Sequence, residues 1–193
     1  MTRLTPPFVQ RIPSLRAHAP TARSLRRLLL AGLLAAPAPA LAAEPPSAEA
    51  MRAQIEDCLQ GSPDLQADSV CVGMPAESCM AIPENQTTLG MSACINAEAD
   101  AWDQILNALW PEVKTQAAEF DAAERPQEMG LPRQSDSLLA AQRAWIAYRD
   151  AECLLAYAQG GIGSIRHNYG ASCRLQMISD RALQFRDWLR PGP

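Results

Sequence analysis

The 193-residue chain has no glycine repeat, no apolar run of the ~18 residues that a membrane-spanning helix needs, and no acidic residue before position 44. The first absence excludes a collagen-like fibre and the second a polytopic membrane protein. A hydrophobic fraction of 48% excludes low-complexity disorder. Aromatic residues are scarce at 5%, and of two histidines only His167 lies beyond the first 42 residues. A Ser/His/Asp triad would have to be built on that one imidazole. G-x-S-x-G, H-E-x-x-H, the phosphate loop and G-x-G-x-x-G are all missing. Acidic pairs such as Glu98 with Asp103 are too common in so acidic a chain to mark acid/base work. No enzyme and no cofactor are expected.

What the amino-terminal part does contain is arginine. Arg3, Arg11, Arg16, Arg23, Arg26 and Arg27 precede an apolar stretch over 28–36, interrupted by Pro37 and Pro39 before the small-residue site Ala40-Leu41-Ala42. This pattern reads as a secretory signal peptide over residues 1–42, cleaved near Ala42 or Ala43. The apolar stretch is too short to cross ~30 Å of hydrocarbon, so the mature chain is not expected to be membrane-embedded. Arg26-Arg27 leaves both the general and the twin-arginine export routes open. No cysteine stands at the cleavage site to take a lipid. Beyond residue 42 the chain has 21 acids against 11 bases, a net charge of -10 that argues against nucleic acid as a partner.

All six cysteines, Cys58, Cys71, Cys79, Cys94, Cys153 and Cys173, belong to the mature part. An even number in a periplasmic or secreted protein implies three disulfides. No C-x-x-C is present and histidine is lacking, so no metal site is expected.

Apolar spacing then gives helices. Ser47 caps a short one carrying Met51, Ile55, Cys58 and Leu59, stopped by Gly61. Residues 61–86 hold Pro63, Pro75 and Pro83 and no lasting period, and read as a loop tied down by Cys71 and Cys79. A second helix starts at Thr87 or Thr88 and carries Met91, Ile95, Trp102, Ile105, Leu106 and Leu109. Pro111 should kink or end it, although Val113, Ala117 and Phe120 would extend its apolar face. A third helix, capped by Ser135 and ended by Gly160, has two adjoining apolar stripes from Leu138, Leu139, Trp145, Ile146, Cys153, Leu154 and Tyr157. Two stripes call for neighbours on both sides. A last helix runs from the Gly-rich turn to Leu189. With no period-2 alternation, the fold expected is all-α: a small, disulfide-stapled, up-down bundle of three long helices plus a short N-terminal helix.

Read together, Thr87-Thr88-x-x-Met91-x-x-Cys94-x-x-x-Glu98, Trp102-Asp103-x-x-Leu106-Asn107, Gln142-Arg143-x-Trp145-Ile146-x-Tyr148-Arg149-Asp150-x-x-Cys153, Gly163-Ser164 and Cys173 resemble the LprI-like lysozyme-inhibitor family. The resemblance covers about residues 79 to 189. It implies an exported, disulfide-stapled helical domain over 87–193, preceded by a short helix and a Cys-rich acidic segment over 43–86, and it implies non-catalytic inhibition of a lysozyme. Unlike the lipid-anchored member that names the family, this chain has no acylatable cysteine after its leader.

Several motif residues have structural readings. Trp102 and Trp145 lie on apolar faces and belong to a core. Gln142 and Arg149 are two turns apart on one face and should lock helices together. Asp150 follows Arg149 and points about 100° away, so those two are not expected to pair; Arg174 and Arg181 are the expected partners. Assuming equal helix heights, Cys94, Cys153 and Cys173 share one layer near Gly160, which favours Cys94–Cys153, Cys79–Cys173 and Cys58–Cys71.

Charge is segregated. Residues 43–128 hold 16 acids and three bases, whereas the remainder holds eight bases and five acids. An acidic module is steered toward cationic partners, and common lysozymes are basic. The expected contact is either the acidic segment 57–84 or the turn formed by Gly160, Gly161, Ile162, Gly163 and Ser164 with His167 beside it. The alternative partner is another cationic envelope protein, with no lysozyme inhibition.

Overall fold

Ser47 opens α1 (Ala48–Leu59) by accepting the Ala50 N–H at 3.2 Å, and Met51, Ile55 and Leu59 form its buried stripe. The computed structural model describes residues 45–191, so the arginine-rich leader and its cleavage site near Ala42 lie outside the described residues. After α1 the chain turns at Gly61, whose φ of 74° is left-handed.

The stretch expected to be a loop is folded. It contains α2 (Leu65–Ser69), capped by Asp64 on the Ala67 N–H, α3 (Met74–Met80), and a 3-10 turn at Pro83–Asn85. Helices of five and seven residues make two turns or fewer, too few for an apolar period to declare itself.

Thr87 caps α4 (Thr88–Glu124) on the Gly90 N–H at 3.0 Å. The helix runs on through Pro111, and Val113 and Ala117 are buried beyond it, whereas Phe120 is exposed. Pro111 and Asn107, the residue whose carbonyl it leaves without a donor, both lie on the exposed side. A 3-10 turn (Pro126–Met129) leads to α5 (Gln134–Gln159), and the glycine turn leads to α6 (Arg166–Trp188). Ser135 does not cap α5. The helix starts two residues earlier than a Ser135 cap would allow, and Asp121 from the end of α4 takes the capping role by accepting from Gln134 and Ser135.

The long helices alternate in direction in an all-α, disulfide-stapled bundle, with α6 packed against both α4 and α5. α1 and α3 cover α4, and α2 reaches the far end of α6. There Asp68, fully buried, accepts from Arg186 Nε at 3.2 Å and Arg190 Nη2 at 2.6 Å. Trp102, Ile105, Leu106, Ile178, Leu183 and Phe185 form the centre of the core. Among the described residues no helix is long and apolar enough to cross a membrane.

Two expectations fail at α5. Only Leu138 of this helix is buried, and the second apolar stripe has no neighbour: Leu139, Ile146 and Leu154 are 41%, 40% and 68% exposed. α5 is an edge helix. The cysteine pairing also differs. Cys58–Cys71 forms as expected, but the other bonds are Cys79–Cys94 and Cys153–Cys173, not Cys94–Cys153 and Cys79–Cys173. The equal heights assumed for the helices are the cause. Where Asp121 meets Gln134, Cys94 lies 27 residues up α4 and Cys153 only 19 up α5. At 1.5 Å per residue their levels differ by about 12 Å, beyond the reach of a disulfide.

Candidate functional site

The turn between α5 and α6 is held by contacts between the two helices it joins. At Gly160 a Cβ would lie 2.3 Å from Arg166 Cα, so the start of α6 crosses directly over this glycine. Gly161 has a φ of 63°, a left-handed conformation that disfavours any side chain. The Tyr157 ring is held by three groups: the Arg166 guanidinium lies 5.3 Å from its centroid, the His167 ring meets it edge-on at 5.4 Å, and Gly170 leaves it space that a side chain would crowd, since a Cβ there would sit 3.3 Å from Tyr157 Cβ. Below these, Cys153–Cys173 joins the helices with a Cα separation of 5.3 Å.

On this base Ile162 is completely exposed, with Gly161, Gly163, Ser164 and Ile165 exposed around it. From Cys153 to Gly170 the only formally charged side chain is Arg166. The tip is therefore a convex, rigid, apolar projection without acids. His167 is half-buried against Tyr157 rather than free in solvent. The acidic arm is a different surface: Glu56, Asp57, Asp64, Glu77 and Glu84 are exposed on it, whereas Asp68 is neutralised by Arg186 and Arg190.

The motif residues divide into groups. Trp102 is in the core, and its Nε1 donates to Glu98 Oε1 at 3.1 Å. Asp103, Arg149 and Asp150 meet Cys153, Gly170 and Arg174 around a cleft of about 360 Å³. Arg149 pairs with Asp150 after all, at 2.8 and 2.9 Å, because its flexible side chain bends toward a neighbour whose Cβ points elsewhere. Arg174 pairs instead with Asp100 at 2.6 Å. Gln142 locks α5 to α6 by accepting from Arg181 Nε at 2.9 Å. Trp145 is half-buried between the guanidinium groups of Arg149 and Arg181, at 5.1 and 5.8 Å. Burial lowers the proton affinity of Arg181.

Glu98 has a role the sequence did not declare. It is fully buried, and besides Trp102 it accepts the backbone N–H groups of Gly73 at 2.7 Å and Ala76 at 2.8 Å, tying the start of α3 to α4. Burial pushes its carboxyl above the usual range, against the pull of these donors. The available signal was a carboxylate in an apolar stripe, between Cys94 and Trp102 at i, i+4, i+8.

A family model described as lysozyme inhibitor LprI matches residues 79–185. The matched stretch starts at the first cysteine of Cys79–Cys94, contains Cys153–Cys173 and ends at Phe185 in the core, leaving α1, α2 and Cys58–Cys71 outside. No curated protein and no solved structure matches the chain. With more than half of its length covered by that match, the chain belongs to the LprI lysozyme-inhibitor family.

Proposed function

We propose that this protein is exported, loses residues 1–42, and blocks a muramidase in the periplasm or outside the cell by non-catalytic binding, with the α5–α6 turn as the plug. One observation carries the reading: a fully exposed Ile162 on a turn fixed by Gly160, Tyr157 and Cys153–Cys173. A large apolar side chain presented on a preorganised projection loses little entropy on docking.

Charge supports a division of labour. Glycosidase clefts carry two carboxylates, and a tip with Arg166 and no acid avoids like-charge contact there. The exposed acids of the arm would meet the basic remainder of a lysozyme and steer the encounter. Three disulfides suit an oxidising compartment, and family membership supports an inhibitory rather than catalytic role.

The test is peptidoglycan lysis by an animal-type lysozyme with the oxidised protein added. Inhibition is expected to weaken as salt rises, and Ile162→Asp should weaken it at least tenfold with the melting temperature unchanged. Normal lysis at a large excess of protein would exclude an animal-type lysozyme as the partner and favour another envelope protein in its place.

A further inference from the structure

We propose that the outer face of α5 seats a second copy of this chain, antiparallel to the first. The face is the apolar stripe that the fold leaves uncovered, and the order of residues along it identifies its occupant. Leu139, Arg143, Ile146, Ala147, Asp150 and Leu154 follow at steps of 4, 3, 1, 3 and 4. The pattern is symmetric about the midpoint between Ile146 and Ala147. A reversed copy laid on this stripe sets Leu154 opposite Leu139, Asp150 opposite Arg143, and Ala147 opposite Ile146. Each pair then occurs twice, as in any two-fold contact. A parallel copy would place Arg143 on Arg143 and Asp150 on Asp150, so charge selects the antiparallel arrangement.

The state of the charges agrees. Seven of the ten described arginines meet a carboxylate within 4 Å, but Arg143 meets none and is exposed. Asp150 is paired with Arg149, yet its side chain remains 64% exposed and able to take a second cation. Leu154 is the more exposed member of its pair and Leu139 the less, so each apolar contact joins a projecting side chain to a recessed one.

In such a pair the Ile162 tips stand at opposite ends, both clear of the contact. The inference stands apart from the proposed muramidase, since self-association can be read without any partner.

Sedimentation equilibrium of the oxidised protein, from micromolar to millimolar concentration, tests it. The wild type is expected to dimerise reversibly. Arg143→Asp, which breaks no ion pair among the described residues, should weaken association about tenfold, because two opposite-charge pairs become like-charge pairs. Asp150→Arg should do the same, the double reversal R143D/D150R should restore the dimer, and Leu154→Lys should abolish it, with circular dichroism confirming that each variant is folded. A wild type that stays monomeric at millimolar concentration, whatever else the face binds, overturns the proposal. So does a dimer indifferent to Arg143→Asp, or one that the double reversal fails to restore.

Discussion

Asp121 and Ser135 are joined twice: Oδ2 of the aspartate accepts the serine N–H at 3.0 Å and its hydroxyl at 2.5 Å. Oδ1 takes the Gln134 N–H at 2.7 Å, and Arg133 stands 3.5 Å away. One carboxylate at the end of α4 thus caps the start of α5 and sets the angle between the two helices. The bond from the Ser135 hydroxyl, with the two backbone donors and Arg133, holds the Asp121 carboxyl below its ordinary range.

Acid should therefore loosen this junction. The folded state favours ionised Asp121, so its contribution is present above the unfolded value near 3.8 and is lost as pH falls through the lower folded value. Asp121→Ala is expected to lower the melting temperature at neutral pH, and to narrow its gap from the wild type below pH 4. Thermal denaturation from pH 7 to pH 2 reads both.

Glu98 should act with the opposite sign. Its folded value is raised above 4.5, so the folded state holds the proton more tightly than the unfolded chain does. The resulting stability is complete below 4.5 and is lost as pH rises through the folded value. Glu98→Gln should abolish that slope. Glu98→Ala strands two buried donors, Ala76 N–H and Trp102 Nε1, and the half-buried Gly73 N–H, and should cost ~3 to 5 kcal/mol. Urea titrations at stepped pH separate the two effects, and a Glu98→Ala variant as stable as the wild type would contradict the assignment.

The glycines of the turn are not equivalent. A methyl at Gly160 would meet Arg166 backbone at 2.3 Å, whereas at Gly163 the nearest atom is 3.8 Å away. Gly160→Ala is expected to cost about 2 kcal/mol by forcing α6 away from α5, and Gly163→Ala less than ~0.5 kcal/mol. Chemical denaturation of the two variants side by side checks the contrast.

Ser47, Thr87 and the stop at Gly160 were readable in the sequence because a cap is a bond between a side chain and backbone a few residues away. The all-α class was readable for a similar reason, since α4, α5 and α6 are long enough to show their period. Asp121 as the cap of α5 was not, because it lies 13 residues from its partner and Ser135 occupied the expected place. Nor was the neutralisation of Asp68 by Arg186 and Arg190, whose separations of 118 and 122 residues leave no mark in any local window. The pairing of Arg149 with Asp150 was missed because helical geometry fixes Cβ directions and not the ends of long side chains. Of the candidate site, the glycines marked the turn. Its rigidity comes from Tyr157, Arg166 and Gly170, which no spacing rule brings together.

The three disulfides close 13, 15 and 20 residues, and each joins cysteines that are consecutive in the chain. A polypeptide leaving an export channel amino end first would present Cys58 and Cys71, then Cys79 and Cys94, then Cys153 and Cys173. Oxidation in order of appearance yields the native set. No cysteine has to wait for a partner beyond the next one to emerge, so this connectivity needs no reshuffling by an isomerase. In such threaded export a Cys79–Cys173 bond would leave the Cys79 thiol free until 94 further residues had emerged, open to wrong partners. The order of the bonds is thus also a schedule for making them.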